Sequence, residues 1–148
     1  MVSKIIGLES GVYPKGSLDF GAIYSRFLDR LPANTGSAAS FLGVARLESA
    51  SGKKKIKNLV MEAYEKHANQ ILLKICKELK KKYSLTDILI VHALGKFGPG
   101  DPVVMVLVAS PRRVQSFQAL NEAVERYKKE PALFKQEIYS DGSSAWIH

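Results

Sequence analysis

Apolar residues recur along the chain with two different periods. Ile23, Phe27 and Leu31 are spaced by four, with Ser17 ahead as a cap and Pro32 behind, and predict a helix over residues 17–31. Ala68, Ile71, Leu72, Ile75 and Leu79 predict a second helix that runs to Lys82. Val114, Phe117, Leu120, Val124 and Tyr127 give a third its apolar face. Ser110 should cap that helix, Pro111 should occupy its first position and Glu130-Pro131 should end it.

Between the helices the chain reads as strands: residues 38–47, 56–64, 87–94, 102–109 and 134–139, with a short terminal one over 145–147. Gly43 inside the first of these marks a bulge or a close backbone approach. Residues 49–55 read as a flexible loop or hairpin tip, and residues 95–101 as a glycine-rich loop. Helices and strands are interspersed without strict alternation, which predicts an α+β domain with a largely antiparallel sheet. The strands at 87–94 and 103–109 are apolar on both faces. Each face must be covered by a helix of this chain or by another copy.

Composition narrows the class. A chain of 148 residues and 16.3 kDa fits one domain over residues 1–148. With 46% hydrophobic and 24% charged residues, wholesale disorder and fibrous classes are excluded. No apolar run approaches the roughly 20 residues that span a bilayer, and the first ten residues lack the apolar core of a secretory signal. The single cysteine, Cys76, excludes an internal disulfide and a multi-cysteine zinc site. It reads as a small buried hydrophobe, and the cytosol is the expected setting.

Charge changes the picture more. The net is 22 − 14 = +8, which suggests anionic partners. Residues 51–100 hold 11 lysines against 4 acids, a net of +7, mostly in the runs Lys53–Lys57 and Lys80–Lys82. Such runs read first as solvated charge. The arginines lie elsewhere. Arg46 closes the strand at 38–47, and Arg112 and Arg113 open the third helix, where two cations oppose the helix dipole unless an anion joins them. Lys128 and Lys135 flank Pro131. Together these suggest a pocket for phosphate or carboxylate, because guanidinium forks match those groups. No carboxylate pair, triad or metal spacing accompanies them, so lysine is the expected acid, base or nucleophile. Gly98–Gly100 lacks the Lys-Ser/Thr ending of a phosphate loop. His92, between apolar neighbours, reads as a core histidine.

At this point a resemblance enters. Phe41-Leu42-Gly43-Val44-Ala45-Arg46 resembles the F-x-G-x-x-R strand of the large subunits of molybdopterin synthase, the MoaE family. The run from His92 to Asp101 is similar to that family's H-R-x-G-x-x-x-x-G-[DE] segment, and Ser110 to Phe117 to its S-x-H-R-x-x-x-F helix start. Lys128 to Glu137 resembles its K-x-x-x-P-x-W-K-x-E segment, while Leu18-Asp19 and Trp146 also fall where the family has such residues.

The resemblance implies a single-domain α/β hammerhead-type fold and a homodimer. Each large subunit would bind a small ubiquitin-like sulfur carrier, MoaD-like, whose C-terminal Gly-Gly tail is a thiocarboxylate, giving a heterotetramer. It further implies transfer of two sulfurs to cyclic pyranopterin monophosphate, forming the dithiolene of molybdopterin, with no resident cofactor or metal and no nucleic-acid or membrane partner. Carried over by position, Lys135 would be the essential catalytic lysine and Lys128 the second. Val44, Ala45 and Arg46 would line the substrate site, Arg112 and Arg113 would bind phosphate, and Gln136 and Glu137 would lie beside it. Four positions depart from the pattern. Arg112 stands for the common histidine, Ala93 for an arginine and Phe134 for tryptophan, and Pro131 comes one residue early, which leaves Lys129 as a substitute for Lys128. Two other readings stay open: a non-catalytic relative that only binds a Gly-Gly tail, and a basic RNA-binding module.

Overall fold

The structure, a computed structural model, describes residues 5–147. Residues 1–4, on which the reading of a non-secretory start partly rests, and His148 lie outside the described residues. Among the described residues the helices are α1 (Phe20–Asp29), α2 (Glu65–Lys82) and α3 (Arg113–Lys129). The strands are β1 (Gly11–Pro14), β2 (Ser37–Val44), β3 (Ile56–Ala63), β4 (Asp87–Phe97), β5 (Pro102–Ser110), β6 (Leu133–Tyr139) and β7 (Ser144–Ile147). They form one sheet in the order β2-β5-β4-β3-β6-β7, with β1 beside β4. Every pairing is antiparallel except β1 with β4. This is the α+β architecture expected from the patterning. No helix among the described residues is long and apolar enough to cross a membrane.

The two-sided apolar strands are covered by this chain's own helices. Residues alternate faces along a strand. Ile88, Ile90, Val104, Val106 and Val108 therefore pack under α2 and α3, against Leu72, Ile75, Leu79, Ala119 and Ala123. Leu89, Val91, Met105, Leu107 and Ala109 point the other way, onto Ile23 and Phe27 of α1. Cys76 is buried on the inner face of α2, where the Ser10 hydroxyl lies 3.2 Å from its sulfur. Burial pushes its thiol up to about 11, so it stays protonated and structural.

Several boundaries differ from the sequence expectation. The Asp19 side chain, not that of Ser17, caps α1 by accepting from the Ala22 amide at 3.0 Å. Ser17 instead closes a turn by donating to the Pro14 carbonyl. Ser110 does not cap α3 either: it is the last residue of β5, and Arg112 occupies the N-cap without a side-chain bond. The Ser110 hydroxyl is used nearby, donating to the Arg112 carbonyl at 2.6 Å beside Ser116. The segment at 49–55 is the expected tip of a short hairpin, closed by an antiparallel bridge between Glu48 and Lys55 and by the Ile56 amide donating to the Leu47 carbonyl at 2.6 Å, although β2 itself pairs with β5 and β3 with β4 and β6.

The largest difference concerns the face of α3. Its buried side is the small one, Ser116, Ala119 and Ala123, ending in Tyr127. Small residues let the helix lie close on the sheet, and the larger Val114 and Phe117 are left 57% and 62% exposed.

Two local devices carry the chain from the core to a cleft. β4 pairs with β5 as far as His92 and then with β3 from Gly95 to Phe97, so the sheet splays around its middle. The hairpin after β4 is tied to the end of β2: the Ala45 amide donates to the Asp101 carbonyl, and the Gly100 amide donates back to Ala45. The Asp101 carboxylate accepts from the Gly98 amide at 2.8 Å and from Lys15. The glycine-rich loop is thus a brace for Arg46. Gly43 sits at the register shift of β2, where a Cβ would lie 2.5 Å from Cγ1 of buried Val104. Gly43→Ala should therefore lower stability by about 1–3 kcal/mol through overpacking. A denaturation midpoint equal to the parent's would show that the strand has room to yield.

Candidate functional site

The splay opens a cavity of about 960 Å³, within the range of small-molecule sites. Phe41, Gly43 and Val44 of β2 form one wall, with Arg46 just beyond the strand. Leu59 and Met61 of β3, His92 of β4 and Tyr127 of α3 lie deeper. Phe134 and Lys135 of β6, Trp146 of β7 and Tyr64 complete the opposite wall, with the Tyr64 and Phe134 rings edge to face at 5.4 Å. Lys128, on the last turn of α3, also reaches the cavity and lies 6.0 Å from the centre of the Phe41 ring.

Three of the expected cations thus meet in one place. Arg46, Lys128 and Lys135 line the same cavity, although 89 residues separate the first from the last (135 − 46). No carboxylate, amide, serine or threonine side chain lines it among the described residues. Burial holds the Lys135 ammonium below its usual 10.5, and the charges of Arg46 and Lys128 push the same way against the opposing Glu137 carboxylate. Lys129 is not in the cavity: its side chain is 77% exposed and lies 3.6 Å from Glu125.

The other expected residues are placed differently. Val44 lines the cavity, but Ala45 is buried behind it with its amide tied to the hairpin. Gln136 and Glu137 do not line it. Glu137 is buried and accepts a hydrogen bond from the Tyr139 hydroxyl at 2.8 Å. Lys135 shares its face of the strand, while Gln136 points to the opposite one and bonds Ser144 of β7 at 3.4 Å.

Arg112 and Arg113 are exposed and absent from the cavity. Arg113 and Lys128 stand fifteen positions apart along α3, roughly 22 Å at 1.5 Å per residue, so the two ends of α3 cannot serve one small ligand in one copy. The early Pro131 did not shift the lysines, since α3 still ends at Lys129 and presents Lys128 inward.

Sequence reasoning placed His92 in the core, and it is 2% exposed. It also lines the cavity, which the sequence did not reveal. Tyr127, Met61 and Phe41 were missed as lining residues for the same reason: their apolar spacing reads as ordinary core.

Burial lowers the His92 imidazole from 6.5 to about 4, with the Lys135 charge adding to the effect against the Ala93 carbonyl bond. The sign follows from linkage. The unfolded chain takes up this proton first, so full stability is present above pH 6.5 and is lost as pH falls toward 4. The loss from this group should reach roughly 3 kcal/mol. Urea unfolding at pH 4.5 and 7 checks it: His92→Gln should show a shallower difference than the parent, and an equal difference would rule the effect out.

A family model described as MoaE protein matches residues 15–130, more than three-quarters of the chain. That span takes in Arg46, His92 and Lys128 and stops before Lys135. The chain is 35% identical over 112 residues to the molybdopterin synthase catalytic subunit of Bacillus subtilis, covering 76% of this chain and 69% of that protein. It is 32% identical over 111 residues to the Bos taurus protein of the same name, covering 75% of this chain but only 58% of that longer protein. A crystal structure of molybdopterin synthase from Staphylococcus aureus superposes with a TM-score of 0.83 at 27% identity, over 94% of this chain and 96% of that one. By sequence over most of its length, and by a fold that agrees with it, the chain belongs to the MoaE family.

Proposed function

We propose that this chain, read as one domain over residues 1–148, is the catalytic subunit of a molybdopterin synthase. It would transfer sulfur from the thiocarboxylated C-terminus of a small ubiquitin-like carrier to cyclic pyranopterin monophosphate and form the molybdopterin dithiolene. The observation that carries this reading is the single cavity holding Arg46, Lys128 and Lys135 with no side-chain carboxylate on its walls. Both reactants are anionic, and three fixed cations in a partly desolvated site favour a phosphate and a thiocarboxylate together. Sulfur addition and opening of the cyclic phosphate call for proton transfer and for stabilisation of developing negative charge. A lysine with a lowered pKa can do both, as neutral base and as ammonium. Tyr64, Phe134 and Trp146 stay exposed at the cavity wall and suit an extended Gly-Gly tail, which has no side chains of its own. A cytosolic setting belongs to the same reading.

Arg112 and Arg113 fit this function through a second copy. β2 is the outermost strand of the sheet and leaves Leu42 and Val44 exposed, while Val114 and Phe117 are exposed on the first turns of α3. Ser37, at the start of β2, lies beneath the start of α3, where its carbonyl accepts from Ser116. Antiparallel pairing of two β2 edges about a twofold axis brings the start of one strand to the end of the other. The arginine pair of one copy would then face Arg46 of its neighbour. A homodimer, and a heterotetramer with the carrier, follow from this arrangement. Incubation with thiocarboxylated carrier and cyclic pyranopterin monophosphate tests the function: dithiolene product is expected, and carrier binding without product would leave a non-catalytic binder.

A further inference from the structure

We infer that His92 sets the orientation of the ligand in the cavity, by accepting a hydrogen bond from an N–H or O–H on the neutral, heterocyclic end of the substrate. The inference rests on the pterin reading above and assigns a part of it. His92 Nδ1 lies 2.8 Å from the Ala93 carbonyl oxygen. A carbonyl only accepts, so this bond places the proton on Nδ1 and leaves Nε2 with a lone pair. Among the described residues no group hydrogen bonds to Nε2, although the side chain is almost wholly buried. Nε2 is not sealed off: the fully buried, unpaired side-chain polar atom among the described residues is Gln115 Oε1, whereas the His92 ring lines the cavity and leaves Nε2 to whatever fills it.

The rest of the cavity explains why one acceptor matters. Arg46, Trp146 and the lysines Lys128 and Lys135 in their ammonium form offer only donors. The hydroxyls of Tyr64 and Tyr127 can donate or accept. His92 is the one side-chain nitrogen on these walls obliged to accept. Its ring packs edge-on against Tyr127, 5.9 Å between centres, and Tyr127 in turn lies 6.5 Å from Phe41. Burial keeps the imidazole neutral at physiological pH. The cavity is therefore divided: the cations take the phosphate, while a neutral aromatic floor takes the fused ring, whose amino and ring N–H groups need an acceptor. A substrate bound in reverse would set its anion against the Nε2 lone pair and leave the donors of its ring facing cations.

The test uses the full chain, titrated by calorimetry with cyclic pyranopterin monophosphate and separately with inorganic phosphate. His92→Phe should weaken the pterin about 10- to 100-fold, as expected for removing one partner of a buried bond, and leave phosphate affinity unchanged. His92→Gln should recover most of the loss, because its amide oxygen can accept. In parallel, the histidine ¹⁵N spectrum of the parent should show an unprotonated Nε2 whose resonance shifts when the pterin is added and not when phosphate is added. If His92→Phe fails to fold, that spectrum decides. A parent that binds the pterin with no movement of Nε2, or a folded His92→Phe that binds it equally well, overturns the inference alone. A parent that does not bind the pterin overturns the functional reading, and this inference with it.

Discussion

Lys135→Ala is expected to nearly abolish sulfur transfer while leaving the fold and carrier binding intact. The residue lies within β6, where pairing with Met61 of β3 and Ile147 of β7 fixes the direction of the side chain into the cavity. Its amine is made more available by burial first, and then by Arg46 and Lys128. Loss of a positioned acid–base group typically costs 10²- to 10⁴-fold in rate. Lys135→Arg separates the two roles, because arginine keeps the charge and cannot lose it. Restored activity in that variant would reduce Lys135 to an electrostatic element.

The pH profile carries a sign. A rate that needs the neutral amine rises with pH and levels off above the pKa of Lys135, which lies below 10.5. Lys128→Ala removes a neighbouring charge, so the rising limb should move to higher pH as well as lower the rate. Lys129→Ala should do neither, because that side chain faces solvent beside Glu125. A damaging Lys129→Ala would mean that the inward lysine has been misassigned.

Mixing two impaired variants should restore activity at low substrate concentration. Arg113→Ala should weaken substrate binding about 10- to 150-fold, from roughly 1.5–3 kcal/mol for a charge-assisted contact. Arg113 lies at the far end of α3 from Lys128, so it can reach a cavity only in a partner copy. In a mixed dimer of Lys135→Ala and Arg113→Ala, one cavity has its own Lys135 and receives an intact Arg113 from the other subunit. After reassortment about half the dimers are mixed and each has one complete site, so recovery should approach about a quarter of the parental activity. Arginines acting within their own subunit would give no recovery. Phe117→Asp places a charge on the exposed apolar patch beside β2. It should yield a monomer with low activity, read by sedimentation; an active monomer would remove the dimer from the mechanism.

Most of the elements and their class were legible in the local pattern of the chain. Periods of two and about four are set by backbone geometry, so Ile23 with Phe27, or Leu72 with Ile75 and Leu79, identify helices without reference to the rest of the chain. The sequence also determined the chemistry available: lysine and arginine, one buried thiol and no carboxylate pair. Where it failed, a local signal competed with a tertiary one. Ser110 has the residue type of a cap, but its neighbours belong to β5, and the ladder to β2 keeps it extended. Val114 and Phe117 have core spacing, yet Ser116, Ala119 and Ala123 let α3 approach the sheet more closely. Which cations meet was set by long-range packing. Pairing of β6 with β3 and the turn at Pro131 bring Lys128 and Lys135 to the same cavity as Arg46, while the length of α3 carries Arg112 and Arg113 away. Long-range packing also decided that His92, core-like in its spacing, borders a cavity, because that depends on where β4 leaves β5 for β3, a long-range pairing that no local pattern encodes.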